Sequence, residues 1–202
     1  MTVEIIEESL DILTEYEKVP IAFRVESRFR VELCQGGLGG MRLIEESIAP
    51  YVKDYDQNER DRPSQWSQHW DISSWGILSA FIGEQRVGGA AVAWKTPEVT
   101  MLEGREDLAC LWDLRVHPDY RNKNIGHKLF NYALAWSRAR LCRQFKVETQ
   151  NTNVPACRFY ARQGCELGVI NRYAYNEALN ETQLLWYRDV KLVEPPPNII
   201  LK

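Results

Sequence analysis

The residues from Leu108 to Leu141 leave this chain little freedom. Leu108 to Val116 is a long apolar strand, and His117-Pro118 ends it because proline brings no amide hydrogen. A short basic loop with Arg121 and Lys123 follows. Ile125, Leu129, Ala133 and Trp136 then recur at helical spacing, with Leu134 and Leu141 beside them, which predicts a helix over Ile125 to Leu141. Phe145 to Thr149 reads as a strand. Asn153 to Gln163 reads as a second helix, with Asn153 as its cap, Pro155 in its first turn and Gly164 at its stop. Strand, helix, strand, helix in this order needs a sheet for the helices to cover.

Around that unit the sequence predicts further strands. Trp75 to Phe81 and Val87 to Trp94 form a hairpin turned at Gly83-Glu84-Gln85, and Glu166 to Ile170 and Leu184 to Tyr187 are the last strands. Ile21 to Leu33 alternates apolar and charged residues and predicts another. Gly36-Gly37-Leu38-Gly39-Gly40 lacks the GK[ST] ending of a phosphate loop and reads as a connection. The polar stretch Tyr51 to Trp70 reads as a loop and short helix over the domain face, and Thr96 to Asp107 as a loop. The expected architecture is α/β (α+β): one domain over residues 1–190 on a mixed sheet flanked by helices, with a Pro-rich tail over 191–202 that contains Pro195 to Pro197.

Composition narrows the function. A net charge of -3 argues against a nucleic-acid binder and suits a cationic small-molecule partner. The five cysteines (Cys34, Cys110, Cys142, Cys157, Cys165) form no CxxC pair, which predicts reduced, mostly buried thiols in a cytoplasmic protein. The acidic start MTVEIIEESLDILTEYE is no signal peptide, and no apolar stretch reaches membrane-spanning length, so no membrane partner is expected. His69 and His127 stand alone, without metal-ligand spacing, and no metal is expected. A homodimer is compatible with everything above.

The loop between Pro118 and Ile125 has a chemistry of its own. A helix start offers unpaired amide hydrogens and the positive end of its dipole. That dipole contributes only about 0.3–1 kcal/mol. Cationic side chains beside it, Arg121 and Lys123, would complete an anion site suited to phosphates.

Here the residues resemble the GNAT superfamily of N-acetyltransferases, whose signature is a strand, then Arg/Gln-x-x-Gly-x-Gly/Ala, then a helix. The chain reads Arg121-Asn122-Lys123-Asn124-Ile125-Gly126, with Asn124 in place of the first glycine. Asn is among the few residues that tolerate positive φ. A second likeness is Asn153-x-x-Ala156-x-x-Phe159-Tyr160-x-x-x-Gly164, with Cys165 where the family often has Phe. The resemblance spans Trp75 to Tyr175 and implies a GNAT fold with acetyl-CoA (coenzyme A) bound at the turn after the fourth strand. It implies that Leu114, Arg115 and Val116 run along the pantetheine arm, with backbone groups of Leu114 and Val116 holding it. Arg121, Asn122, Lys123, Asn124, Ile125 and Gly126 would hold the pyrophosphate, Asn153 would contact the arm, and Tyr160 would protonate the leaving thiolate. PYVKDYD, KVETQNTNVPACRFYARQGCELGVINRYAY and LLWYRDV extend the likeness from Pro50 to Val190, toward streptothricin acetyltransferases, which acetylate a β-lysine amine of a polycationic antibiotic.

An amine attacks a thioester only when neutral. A lysine-like amine of pKa near 10.4 is neutral in about one molecule in 10³ to 10⁴ at pH 7, a cost of about 4–5 kcal/mol. The candidates for taking its proton are Asp113 and Glu148. Asp113 reads equally as base and as the salt-bridge partner of Arg115. Glu148 reads rather as substrate capture or a structural hydrogen-bond partner. Asp54, Tyr55, Asp56 and Trp75 join Asp113 and Glu148 as candidate substrate contacts, although Trp75 and Trp112 are more often core. An oxyanion donor would come from the backbone near Leu114. Direct attack is expected, since no cysteine has a His or cationic neighbour in sequence. Three activities stay open: a small-molecule N-acetyltransferase, a protein or peptide N-acetyltransferase, and a non-catalytic acyl-CoA-binding module. A Tyr51 to Trp70 loop closing over the site would favour the first, an open groove the second.

Overall fold

Apolar side chains sort onto the two faces of one sheet. The computed structural model describes residues 2–176 and 181–191. Its strands are β1 (Glu4–Glu8), β2 (Phe23–Leu33), β3 (Met41–Lys53), β4 (Gly76–Ile82), β5 (Gln85–Ala93), β6 (Leu108–Val116), β7 (Gln144–Gln150), β8 (Glu166–Asn171) and β9 (Gln183–Asp189). Its helices are α1 (Leu13–Tyr16), α2 (Ile125–Ala139) and α3 (Val154–Arg162). The main sheet runs β1-β4-β5-β6-β7-β9-β8, and β2 and β3 form a separate two-stranded ribbon. Every described pairing is antiparallel except β6 with β7, the pair joined through α2. β6 is the fourth strand across the main sheet.

On one face, Ile125, Leu129, Phe130 and Ala133 of α2 pack on Ala90, Val92, Ala109, Leu111 and Phe145. Burying a Leu, Ile or Phe in this way stabilises by roughly 1.5–3 kcal/mol each. On the other face Leu13, Tyr16, Trp66, Ile72 and Trp75 cover Ile77, Ala91, Leu108 and Cys110. Gly89 lets Tyr16 come down onto the sheet, since a Cβ there would lie 2.2 Å from its ring. The ribbon is tied to the body by Phe29, whose amide donates to the Asn151 carbonyl (2.9 Å) and whose carbonyl accepts from Asn151 Nδ2 (2.8 Å).

The expected strands and both long helices are present, with ends shifted by a residue or two. Gly164, at φ 77, ends α3, and Asn153 Oδ1 caps its start by accepting from the Ala156 amide (3.1 Å). Three elements differ from expectation. β1 and β3 were not foreseen, and Tyr51 to Lys53 belongs to β3. The chain from Tyr55 to Gln68 forms three 3₁₀ turns in place of a loop and short helix. The expected Pro-rich tail lies, beyond Lys191, outside the described residues.

Candidate active site

The site follows from the single parallel pair. β6 and β7 are paired only from Leu108/Gln144 to Leu111/Val147 and then part. A cavity of about 940 Å³ fills the gap, walled by β6, the start of α2, β7, α3 and the 55–66 segment. Beyond Leu111 the edge of β6 that faces β7 has no ladder partner. The His117 amide donates to the Val87 carbonyl (2.9 Å), and Gly89 stands opposite Arg115. Antiparallel bonding alternates, so Asp113 and Arg115 pair with β5 while the backbone groups of Leu114 and Val116 point into the gap. The Arg121 Nε bond to the Val116 carbonyl (3.0 Å) fits this parity. It corrects the placing of Arg115 with Leu114 and Val116 on the cofactor arm.

At one end of the gap, Asn122 (φ 61) and Asn124 (φ 64) are both left-handed and turn the chain into α2. Asn124 makes no side-chain cap bond, so the first amides of α2 face the cavity without one. Gly126 sits against Phe159 and Val116 with ordinary room for a Cβ, 3.6 Å or more from its neighbours, as a Gly/Ala position would. This cradle fits the diphosphate and pantetheine of coenzyme A. Two expected cations contribute differently. Arg121 ties the loop down, donating to the Val116 carbonyl and through Nη2 to the Ala22 carbonyl (2.8 Å), and burial lowers its pKa. Lys123 is turned away from the cavity wall, with Nζ on the Asp119 carbonyl (2.8 Å) and over the Tyr120 ring, which corrects its place in the phosphate site. Arg162, which no sequence signal singled out, is an exposed cation on this wall.

In the middle stands Tyr160, 6 % exposed. Its hydroxyl has no hydrogen-bond partner among the described residues and belongs to a residue lining the cavity, while burial holds its pKa well above the ordinary phenol value. Asn153 also lines the cavity, with Nδ2 donating to the Tyr55 hydroxyl (3.4 Å).

The far end is acidic. Glu148 accepts from Tyr175, from Gln183 Nε2 (2.8 Å) and from Gln150 Nε2 (3.4 Å), and has no ion-pair partner among the described residues. Asp61 also lines the wall, its carboxylate accepting from Asn58 Nδ2 (2.8 Å). Asp113 is committed elsewhere: Oδ1 accepts from Tyr16 (2.6 Å) and Arg115 Nε (2.9 Å), and Oδ2 from Arg115 Nη2 (2.7 Å). Arg115 also grips both Asp56 oxygens (2.9 and 3.2 Å) and the Val19 carbonyl (3.1 Å). Burial opposes the Arg115 charge, but Asp113 and Asp56 outweigh it and keep its pKa raised. Of the two readings of Asp113 the geometry gives the salt bridge, and a carboxylate held on both oxygens is no free base. Two substrate candidates are also displaced. Trp75 is core, its indole N–H on Thr96 Oγ1 (2.8 Å), and Trp66 and Trp112 hold the wall instead. Asp54 is exposed and caps the first 3₁₀ turn through the Asp56 amide (3.0 Å). Burial pushes the Cys110 thiol up to about 12 and those of Cys142, Cys157 and Cys165 to about 11, unlike nucleophilic cysteines.

The acetyltransferase (GNAT) family model matches residues 41–165, which include the β6 edge, the Asn122–Gly126 turn and Tyr160. This chain is a GNAT acetyltransferase. A streptothricin acetyltransferase of Escherichia coli is 30% identical to it over 169 residues, 82% of this chain and 84% of that protein. Two solved structures share the GNAT fold at TM-score 0.71. One is a Bacillus anthracis str. Ames protein named as a streptothricin acetyltransferase and solved with acetyl coenzyme A (21% identity, covering 93% of this chain and 99% of that one). The other is nourseothricin acetyltransferase (18% identity, 95% and 100%). The GNAT enzyme uses acetyl-CoA as acyl donor and acetylates an amine nitrogen. Among its described residues no helix is long and apolar enough to cross a membrane.

Proposed function

We propose that this enzyme acetylates a primary amine of a streptothricin-like polycationic compound in the cytoplasm. The observation that carries the reading is Glu148, a carboxylate on the cavity wall held by three neutral donors and no cation. Such a group attracts an ammonium without competition from a protein counter-ion. The 55–66 segment walls the same end with Tyr55, Asp56, Asp61 and Trp66, which suits a small acceptor better than a peptide lying in an open groove. The Escherichia coli relative supports the substrate class. Four of the five cysteines are buried and all five are free, which suits a reducing compartment.

When bound, acetyl-CoA supplies the electrophilic acyl carbon and the leaving thiolate. Glu148 holds the acceptor ammonium, and the amine loses its proton through water in the cavity. The Leu114 amide, on the open edge of β6, donates to the developing oxyanion. Tyr160 delivers its proton to the sulfur, and its free hydroxyl suits that task.

Thiol release from acetyl-CoA over a panel of streptothricin, aminoglycosides, polyamines and lysine peptides tests the reading. Streptothricin is expected to release thiol fastest, and Glu148→Gln to lower its kcat/KM by the equivalent of one charged hydrogen bond, about 1.5–3 kcal/mol or roughly 10- to 150-fold. Release with peptides alone would overturn the substrate class.

A further inference from the structure

The polar groups behind Glu148 form a chain whose direction is fixed at one end. The Ala156 amide can only donate, so Asn153 Oδ1 is its acceptor (3.1 Å) and Nδ2 must point the other way, to the Tyr55 hydroxyl (3.4 Å). Tyr55 in turn donates to Gln150 Oε1. That sets the Gln150 amide: Nε2 points to the Tyr175 hydroxyl (3.0 Å) and to Glu148 Oε1 (3.4 Å). Tyr175, having accepted from Gln150, gives its proton to Glu148 Oε1. Gln183 Nε2 donates to the other oxygen (2.8 Å). Every link is therefore a donor toward Glu148.

We infer that Gln150 is a positioning residue: it relays the polarity of the α3 cap, through Tyr55 and Tyr175, so that Glu148 is offered donors alone and is held as an oriented carboxylate on the cavity wall. This rests on the proposed role of Glu148 as the acceptor-binding group. Protonation of Glu148 would weaken every one of these bonds, because a neutral carboxyl is a poorer acceptor than a carboxylate. Gln150 itself lines the cavity beside Glu148, so its action through Glu148 is read from a titration made without acceptor. Asn153, which the family resemblance sets against the cofactor arm, is the source of the polarity, so that resemblance would give the two ends of the site one hydrogen-bond direction.

Tyr55, Tyr175 and Cys110 interact electrostatically with Glu148, and burial raises the pKa of all three, so they keep their protons in the acid range; Glu181 and Lys53, paired with each other, lie beside Tyr55. The test is a titration of Glu148 in full-length enzyme carrying ¹³C-carboxyl glutamate, its resonance assigned by its loss in Glu148→Gln. Gln150→Met is expected to raise the Glu148 midpoint by about one pH unit, and Tyr175→Phe by a similar or smaller amount. The double variant is expected to shift it less than the sum of the two, because the residues act in series. In kinetics both variants should raise KM for the cationic acceptor several-fold and move the acid limb of kcat/KM upward, with KM for acetyl-CoA unchanged. An unshifted midpoint in Tyr175→Phe, which keeps the ring and its packing, or additive shifts in the double variant, would overturn the relay. The titration needs no acceptor. If no amine in the panel releases thiol while the midpoint shifts as expected, the substrate reading fails and the relay stands.

Discussion

The two ends of the cavity are built from different materials. The end proposed for the cofactor is backbone: the edge of β6 at Leu114 and Val116 that no strand pairs, the left-handed Asn122 and Asn124, and the first amides of α2. The acceptor end is side chain, drawn from the 55–66 segment, β6 and β7, with Tyr175 and Gln183 behind Glu148. A backbone site needs only a local pattern to recur, so one short motif encodes it. A side-chain site depends on which residues the fold brings together, and its specificity can change without disturbing the cradle.

The strongest way to break this contrast is Arg115, whose side chain is 1% exposed and which holds the acceptor end to the sheet through Asp113 and Asp56. Arg115→Met leaves two carboxylates without their cation and should destabilise the fold by about 3–5 kcal/mol, read from the urea midpoint at constant m-value. A loss under about 1 kcal/mol would mean that the cluster does not clamp the two parts. Tyr160, between the two ends, comes next. Tyr160→Phe should lower kcat about 10²-fold and leave KM for acetyl-CoA within about twofold. Its pH dependence carries a sign: burial raises the phenol pKa, so the proton-bearing form persists upward, and kcat should show no descending limb below about pH 10. A fall centred near pH 8 would remove Tyr160 as the proton source. The smallest effect sharpens the contrast from the cofactor side. Lys123 is turned from the wall, so Lys123→Ala should change KM for acetyl-CoA by less than about twofold. A tenfold rise would mean that side-chain charge, rather than backbone, carries that end.

What the sequence revealed follows the same division. The α2 and α3 periodicities, the Asn153 cap and the Asn124 turn were legible because each is local. β3 was not: Met41–Lys53 belongs to a ribbon outside the main sheet, most of its residues stay exposed, and no core imposes alternation on them. β1 buries only Ile5, too little for a period. At the acceptor end, nothing within a few residues of Asp113 and Arg115 reveals that Tyr16 will meet the first and Asp56 the second from separate segments. Nor does it show that Trp66 rather than Trp75 will reach the wall. Glu148 was visible as an acid on a strand, but the three neutral donors that set it apart come from Gln150, Tyr175 and Gln183, two of them remote in sequence.

The brief β6–β7 ladder has a mechanical side. Four residue pairs join a four-stranded half-sheet to a three-stranded one, and past Leu111 nothing in the backbone ladder stitches them. A ligand bonded to the exposed rim of β6 would act as a partial extra strand in the seam, bracing two slabs that otherwise meet like a half-closed zip. Occupancy of that seam then stiffens the whole body as well as the site, and the melting temperature becomes a gauge of how full the seam is.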